Sequence, residues 1–460
     1  MTRRAPKSTR VWLVLPDPFS TRIFADCGIV DGLRDALGKR LQAVVLMELH
    51  QAEEWADRLS GIDRVSRADL FPASTGVGER IARSIDFRLD RTIGFYPLAV
   101  RFNLRHGFHR ERMRPGHPNL MLDLAREGPL PRRQALETAM RAWLYSPRRY
   151  APHALVRRMR AECGAVVFSN VQTHPAVPLL IAGRRLGLPL VGYVASWDHT
   201  VGKGVISRHV DRYVVQNDVM REDLQRYHGV SAERVVVTGW PQTDVFRIRR
   251  PRADYEALLR SYGLDPELPL VLVMGNTPTN APYEHRFVER LLGWWDESEG
   301  PRRISLLFRP HPRDGDWQER FAAALGREGA HVQAPSYTDL VVLATLLQHG
   351  SCVVANAGTI LLDSLVNDRP AVCVVYDEGV LTGESFAATN VLGEHYRQLM
   401  ESGAFYQAHS FDEVADAIER ALAHPDELAA ERRRVAREVV GDMDGRAARR
   451  VVEAIVEVVR

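Results

Sequence analysis

The sequence predicts an α/β protein with two lobes, each a doubly wound parallel sheet that is covered by helices on both faces. Short apolar runs alternate with amphipathic stretches over most of the chain, and this alternation is typical of parallel sheets. The 460 residues exceed what one ordinary hydrophobic core accommodates and suit about two or three domains. Near 241–254 the pattern lapses into Arg-rich, Pro-containing sequence, which predicts a hinge.

Each predicted strand is a short apolar run that stops at a turn-forming residue, such as Pro16, Gly275 or Pro310. The predicted strands lie, in chain order, at 11–15, 43–47, 166–168, 190–194, 213–215, 234–237, 270–274, 304–308, 352–355 and 371–375. The predicted helices lie near 30–37, 287–292, 317–325, 338–347 and 359–366. Because ligands of such sheets bind beyond the carboxyl ends of the strands, functional residues are expected at those ends.

The domain boundaries follow from the hinge and from the less regular stretch between about 96 and 150. We expect a first domain over 1–245 and a second over 246–440. A C-terminal helix is expected over 441–460, and it could pack back on the first lobe. Two lobes joined by a hinge leave a cleft that faces the strand ends.

Composition and charge exclude several classes of protein. A net charge of +3 gives no reason to expect a nucleic-acid partner. The four cysteines form no CxxC pair and lie in or near apolar runs, so we expect buried thiols in a reducing, cytoplasmic setting. The apolar run at 11–15 is shorter than the roughly 7–15 residues of a secretory signal, and no run approaches the roughly 20 of a membrane span.

Two basic stretches could bring the protein to the inner face of a membrane as a peripheral protein. Their residues are Arg101, Arg105, His106, His109, Arg110, Arg112 and Arg114 in the first, and Arg148, Arg149, Arg157, Arg158 and Arg160 in the second. A solvated face is the default interpretation of such a stretch. The more specific alternative is that these basic residues attract anionic lipid or a phosphorylated acceptor.

The first motif follows the predicted strand 352–355 and comprises Asn356, Ala357, Gly358 and Thr359, with Asp363 one helical turn later. Small residues allow a ligand to approach the backbone, and the free N–H groups at a helix start attract phosphate. The alternative is a tight turn in which Asn356 or Thr359 caps the helix.

The second motif is the turn Arg309-Pro310-His311-Pro312-Arg313, which follows the strand 304–308. Two prolines stiffen the turn, and Arg309 and His311 would present donors to a diphosphate that gains charge as it leaves. The alternative is a structural turn with solvated arginines. The adjoining Asp314-Gly315-Asp316 is interpreted as a turn, and no metal is predicted.

The third motif follows the strand 190–194 and contains Trp197, Asp198, His199 and Lys203. His199 or Asp198 could accept the proton of an acceptor hydroxyl. Lys203 is flanked by glycines, as suits a loop that reaches for phosphate. Residues of this kind at a strand end predict a catalytic loop, although a lone histidine is more often structural.

Three further strand ends are candidates by position. Gly239 lies in the turn 238–244 and is expected to line the cleft, with a simple interdomain turn as the alternative. Asp17 follows the first predicted strand, and Gly275 and Asn276 follow the first strand of the second lobe.

In this order the motifs resemble those of transferases with the GT-B fold, which has two Rossmann-like lobes. The group resembled is that of the CDP-glycerol glycerophosphotransferases and related bacterial surface-polysaccharide transferases, over roughly 190–375. In that group a His-Gly-Thr-Pro-x-Lys loop carries the base, an Arg-x-His-Pro turn binds donor phosphate and an Asp-Tyr-Ser-Ser-x-x-x-Asp segment holds the nucleotide. Here Asp198-His199 stands at the His-Gly position, and Asn356 to Thr359 stands at the Asp-Tyr-Ser-Ser position.

The resemblance implies an enzyme that transfers a sugar from a nucleotide-activated donor to a hydroxyl of a surface-glycan or lipid-linked acceptor, without a metal or other cofactor. The first domain would lie on the acceptor side and the second would bind the donor. The alternatives are transfer of a polyol phosphate from a CDP-linked donor, and a sugar-nucleotide-binding protein without catalysis. Nonhydrolysing sugar-nucleotide epimerases share the fold, but their Asp-Ser-Gly-Gly segment is only loosely matched here.

Overall fold

The computed structural model describes residues 10–71, 151–202, 206–297 and 304–460, together with residues 77, 78, 81, 84 and 146. The chain divides into two compact units. The first consists of residues 1–242 and 444–460, and the second of residues 243–443.

The first unit contains a parallel sheet with the strand order β3-β2-β1-β4-β5-β6-β7. Its strands are β1 Arg10–Leu15, β2 Leu41–Val45, β3 Asp63–Ser66, β4 Cys163–Phe168, β5 Leu190–Tyr193, β6 Arg212–Val215 and β7 Val235–Val237. Residues 11–15 of the central strand β1 are fully buried, as expected for a strand covered on both faces.

The helices of the first unit are α1 Pro18–Asp26, α2 Ile29–Leu37, α3 Leu49–Glu53, α4 Arg67–Leu70, α5 His153–Glu162, α6 Val177–Leu186, α7 His199–Gly202 and α8 Asp218–His228. A further helix, α9 Pro241–Arg247, spans the division between the units. The C-terminal helix, defined below as α19, belongs to this unit: Arg40 donates to the carbonyl of Val459 at 3.0 Å, and Arg450 Nε donates to the carbonyl of Thr238 at 2.7 Å.

The second unit contains a parallel sheet with the strand order β10-β9-β8-β11-β12-β13. Its strands are β8 Leu270–Met274, β9 Ser305–Arg309, β10 Ala330–Val332, β11 Cys352–Ala355, β12 Ala371–Val374 and β13 Tyr406–Ala408. Its helices are α10 Arg252–Ser261, α11 Glu284–Glu297, α12 Trp317–Arg320, α13 Leu340–His349, α14 Ile360–Val366, α15 Phe386–Asn390, α16 Glu394–Met400, α17 Phe411–Ala423 and α18 Ala429–Val440, and α19 Ala447–Val459 follows.

In the core of the second unit, the strands of the sheet pack against two helices. Val271 and Val273 of β8 and Phe308 of β9 lie in one buried cluster with Leu291 of α11 and Ile418 of α17. Alternate residues of each strand therefore face these two helices. Within the described residues, no helix is both long and apolar enough to cross a membrane.

Most predicted elements are present, with shifted boundaries. The predicted helix 317–325 is a short α-helix followed by a 3-10 turn at Ala322–Ala324. All four cysteines are buried thiols, and burial raises the pKa of Cys352 and Cys373 to about 12. Of the basic stretches, 101–114 and Arg148 and Arg149 lie outside the described residues.

Candidate active site

The topological switch point of the second sheet lies between β8 and β11. In chain order, β9 and β10 are added on one side of β8, and β11 is then added on its other side. Ligands of doubly wound sheets bind at such a point, beyond the carboxyl ends of the strands. The loop 275–277 follows β8 and the loop 356–359 follows β11. Asn276 Nδ2 donates to Asn356 Oδ1 at 3.5 Å, so the structure brings two of the predicted donor-binding loops together.

Asn356 holds this part of the molecule in place. Its Nδ2 donates to the carbonyls of Val374 at 2.7 Å and Ala387 at 2.9 Å, and its Oδ1 accepts from Asn390 Nδ2 at 2.7 Å. Both ends of the amide are thus engaged with protein groups. The side chain of Asn356 therefore joins the loop after β11 to β12 and α15, and its expected contact with the donor stays a prediction.

Gly358 adopts a φ of 126°, which side-chain-bearing residues rarely adopt. A Cβ atom built there would meet nothing within 4 Å. Within the protein, the requirement for glycine is therefore one of backbone conformation, and the open space beside Gly358 leaves the expected approach of a ligand to the backbone as a prediction. The N–H of Gly358 donates to the hydroxyl of Tyr396 at 2.5 Å.

The helix start after Gly358 is short. Thr359 is the N-cap of α14 but makes no side-chain capping hydrogen bond, and α14 has seven residues. Asp363 is buried, and its backbone N–H donates to the carbonyl of Thr359 at 2.9 Å. Ala357 is half-buried beside these residues.

Gly275 is required for packing. A Cβ atom at this position would lie 3.0 Å from Pro310 Cα and 3.1 Å from Phe321 Cζ, closer than ordinary van der Waals contact. Its N–H donates to the carbonyl of Arg309 at 2.9 Å. Gly275 therefore allows the loop after β8 to lie against the Arg-Pro-His-Pro turn after β9.

Arg309 was expected to present its guanidinium to a donor phosphate, and that contact stays a prediction. The side chain is buried and forms an ion pair with Asp339, the N-cap of α13, and Gln333 Nε2 also donates to Asp339 at 3.1 Å. A buried guanidinium needs a carboxylate partner of this kind. The hydrophobic periodicity of the sequence could not identify Asp339 as that partner, because it lies 30 residues after Arg309.

His311 is half-buried, and its Nδ1 accepts the N–H of Arg313 at 3.0 Å. A nitrogen that accepts an amide hydrogen is unprotonated, so Nε2 carries the ring hydrogen. His311 thus remains a candidate donor to phosphate in the second unit.

The residue that sequence analysis missed is Arg320, at the end of α12. Its side chain is 9% exposed and donates to the carbonyls of Asn276 at 3.2 Å and Ala281 at 2.6 Å, and to Glu284 Oε2 at 2.8 Å. It also forms an ion pair with Asp314, whose side chain is fully buried. Arg320 therefore connects the loop after β8, the start of α11 and the turn after β9.

The backbone of Asn276 is held by this cluster at both its N–H and its carbonyl. Glu284 Oε1 accepts the Asn276 N–H at 2.8 Å, while Arg320 donates to the Asn276 carbonyl. The cluster has one cation, Arg320, and the carboxyl groups of Glu284 and Asp314, with Asp377 adding negative charge nearby. Burial raises the pKa of Glu284 to about 8, although Arg320 opposes the shift.

This raised pKa predicts a pH-dependent stability. Between the ordinary pKa of 4.5 and about 8, the unfolded glutamate is ionised while Glu284 in the folded protein keeps its proton. The free energy of unfolding should therefore fall as pH rises through this window, by on the order of a few kcal/mol. In Glu284→Gln the fall should be smaller.

Denaturation by urea at a series of pH values measures the effect. Glu289→Gln alters an exposed glutamate of the same helix and is the matched control. Its free energy of unfolding should depend on pH as that of the wild type does. Equal slopes for the wild type and Glu284→Gln would contradict the assignment.

The first sheet has its own switch point between β1 and β4. Asp17 caps α1 there: its carboxylate accepts the N–H of Ser20 at 2.8 Å and Nδ2 of Asn170, which follows β4, at 3.1 Å. Ser20 Oγ lies 2.9 Å from Ser169 Oγ. The carboxylate of Asp17 is thus fixed at the carboxyl edge of the sheet.

The predicted catalytic loop follows β5 in the same sheet. Trp197 is buried, while Asp198 and His199 are half-buried. The backbone N–H of His199 donates to the carbonyl of Ser196 at 3.0 Å, where α7 begins. Lys203 lies outside the described residues. Gly239 follows β7, next to the carbonyl of Thr238 to which Arg450 donates.

Within the described ranges, no group of three or more His, Cys, Asp or Glu side chains is arranged to hold a metal ion. In the Asp314-Gly315-Asp316 turn, Asp314 pairs with Arg320 and its Oδ1 accepts the N–H of Asp316 at 3.1 Å.

Comparison with protein families gives one match. The family described as CDP-glycerol:poly(glycerophosphate) glycerophosphotransferase matches residues 168–457, which is more than half of the chain. The matched range includes the loop that carries Asp198 and His199 and the whole second sheet. No curated protein matches the sequence significantly.

Among solved structures, the chain resembles sugar-nucleotide epimerases. UDP-GlcNAc 2-epimerase from Neisseria meningitidis, bound to UDP-GlcNAc, is 8% identical with a TM-score of 0.56, over 97% of this chain and 100% of that one. A putative UDP-N-acetylglucosamine 2-epimerase from Listeria monocytogenes is 13% identical with a TM-score of 0.53, over 97% and 96%. The Methanocaldococcus jannaschii UDP-GlcNAc 2-epimerase, in complex with UDP-GlcNAc and UDP, is 10% identical with a TM-score of 0.52, over 97% and 99%. These likenesses concern the fold, and they confirm the predicted GT-B fold of two Rossmann-like lobes.

Proposed function

Because the chain belongs to the CDP-glycerol:poly(glycerophosphate) glycerophosphotransferase family, we propose that it transfers a group from a nucleotide-activated donor to a hydroxyl of a surface-glycan or lipid-linked acceptor. The observation that carries the proposal is the switch point of the second sheet, where the loops 275–277 and 356–359 meet. A sheet edge of this kind is where doubly wound proteins bind nucleotides.

The donor would bind the second unit. His311 would donate to the diphosphate through Nε2–H, and the backbone of Ala357 to Thr359 would lie beside it. Gly275, Asn276, Asn356 and Arg309 would support these groups, since their contacts are with other parts of the same unit. Asp363 would support the loop from the first turn of α14.

The family favours transfer of a polyol phosphate from a CDP-linked donor. In that reaction an acceptor oxygen attacks the phosphorus that bears the polyol, a new P–O bond forms, and the bond to the bridging oxygen breaks so that CMP leaves. His199 or Asp198 would take the proton of the hydroxyl. No metal or other cofactor is invoked, since hydrogen-bond donors in the second unit would stabilise the departing charge.

Glycosyl transfer is the second candidate, and the loop 356–359 is the observation that favours it. Its Asn-Ala-Gly-Thr sequence differs from the family's Asp-Tyr-Ser-Ser, so the donor could differ as well. The acceptor oxygen would then attack the anomeric carbon, and a nucleoside diphosphate would leave.

The released nucleotide distinguishes the reactions. We would incubate the protein with CDP-glycerol, with UDP-linked and GDP-linked sugars, and with polyol-phosphate and lipid-linked acceptors, and identify products by mass spectrometry. CMP from CDP-glycerol supports polyol-phosphate transfer, whereas UDP or GDP released from a sugar donor supports glycosyl transfer. A 2-epimer of the sugar nucleotide would indicate an epimerase instead.

Binding is tested separately. Calorimetry with CDP, UDP and GDP should give binding of at least one nucleotide, and addition of EDTA should leave the affinity unchanged. Failure of every nucleotide to bind would overturn the donor site. Loss of binding in EDTA would overturn the metal-independent part of the proposal.

A further inference from the structure

One buried histidine contacts both described ends of the loop that follows Asp198 and His199. His228, the last residue of α8, is 2% exposed. Its Nδ1 accepts the backbone N–H of Ile206 at 2.8 Å, and its Nε2 lies 2.8 Å from the backbone carbonyl of Thr200. Residues 200 and 206 are therefore held by the same imidazole.

These two contacts fix the tautomer of the His228 imidazole. The amide of Ile206 can only donate and the carbonyl of Thr200 can only accept. Both hydrogen bonds form only if Nδ1 is unprotonated and Nε2 carries the hydrogen. A side chain that replaces His228 must therefore supply an acceptor at one position and a donor at the other.

Helix α8 holds the loop at a second point. Thr200 is fully buried, and its Oγ1 donates to Asp223 Oδ2 at 2.7 Å. Asp223 and His228 lie on the same helix, so the side chain and the carbonyl of Thr200 are held by one element. Thr200 directly follows His199 in sequence, and its position limits where the preceding residues can lie.

We propose that His228 is a positioning residue for the transfer reaction: by holding Thr200 and Ile206 it sets the positions of Asp198 and His199, which directly precede Thr200. The proposal rests on the proposed function, in which one of those two residues is the base. His228 would act through these two backbone contacts and not by contacting substrate. Misplacing a reacting group by about 1 Å can cost up to about 100-fold in rate.

Three substitutions of His228 test its hydrogen bonds to Ile206 and to Thr200 separately. In His228→Asn the side-chain oxygen can stand near the Nδ1 position and accept from Ile206. In His228→Gln the side-chain N–H can stand near the Nε2 position and donate to Thr200. His228→Leu fills the space and supplies neither group. We expect kcat to fall most, by up to about 100-fold, in His228→Leu and less in the other two, with nucleotide affinity unchanged in all three.

The matched control is His349→Gln. His349 Nε2 lies 2.8 Å from the carbonyl of Arg250 in the second unit, so the substitution alters a histidine–carbonyl contact elsewhere. Its kcat should stay within twofold of the wild type. A kcat in His228→Leu within twofold of the wild type, or equal values for all three His228 variants, would overturn the proposal.

Hydrogen exchange gives a measurement that does not depend on activity. Removing the acceptor of the Ile206 N–H should speed exchange of that amide by about tenfold or more in His228→Leu, with less change in His228→Asn and none in His349→Gln. Unchanged exchange would overturn the proposal even if the enzyme were active. If the Ile206 amide exchanges faster in His228→Leu but the wild-type protein turns over no nucleotide-linked donor, the result would count against the proposed function and not against the contact between His228 and Ile206.

Discussion

Replacing Arg320 by methionine should destabilise the second unit by about 3–5 kcal/mol, because it leaves the buried carboxylate of Asp314 without its cation. Asp314 and Glu284 are 0% and 12% exposed, and Arg320 is their shared partner. The carbonyls of Asn276 and Ala281 would also lose a charged donor. Urea denaturation would measure the loss, and hydrogen exchange in β8 and β9 would assign it to this unit.

Arg327→Met is the matched control for Arg320→Met. Arg327 forms an ion pair with Asp296 in which both side chains are about one-third or more exposed, and exposed pairs typically contribute about 0–1 kcal/mol. Adding Asp314→Asn to Arg320→Met should recover part of the loss, since it removes the buried carboxylate that Arg320→Met leaves without a cation. Equal losses in the Arg320 and Arg327 variants would mean that the buried cluster does not stabilise the unit.

The fold could be predicted from the sequence because its central strands are apolar throughout. β1, β8 and β11 are buried on both faces and therefore stand out as apolar runs. The strands missed were β3, β10 and β13, which lie at or beside the edges of the sheets. In β3 only Val65 is buried, so its four residues have no apolar run that could distinguish them from a loop.

The candidate site could be predicted only as a set of loops. Topology places every strand end at one edge of its sheet, which is why the loops at Asn276 and Asn356 meet. The partners of buried charges are set by packing between segments distant in sequence. Arg309 pairs with Asp339, and Arg320 with Glu284, over 30 and 36 residues, and neither spacing matches a helical or strand period.

The resemblance to the family supplied what periodicity could not. The residue types at the strand ends had already indicated the Trp-Asp-His-Thr loop and the Arg-Pro-His-Pro turn. The resemblance added the roles of base-bearing loop and phosphate-binding turn, and the family match covers both. It did not indicate that the side chain of Asn356 is engaged by Val374, Ala387 and Asn390, because those contacts depend on the path of the chain after β12.

His199→Ala is expected to lower turnover by about 10²–10⁴-fold, the usual contribution of a general base. His199 is the first choice because imidazole titrates near neutral pH and because it lies in the loop that resembles the family's base-bearing loop. Its half-buried position after β5 allows contact with an acceptor. Nucleotide affinity should stay nearly unchanged, since the donor contacts are assigned to the second unit.

Asp198→Asn is the discriminating partner of His199→Ala, because the match to the family's His-Gly is displaced by one residue. His153→Ala, which removes an exposed histidine of α5, is the control and should keep wild-type turnover. The pH dependence adds a second criterion: an acidic limb at about pH 6–7 indicates an imidazole base, and one near pH 4 a carboxylate. Near-normal turnover in His199→Ala with a large loss in Asp198→Asn would transfer the role to Asp198. A parallel loss of nucleotide affinity in either variant would assign the loop to donor binding, and the base would then lie elsewhere in the first unit.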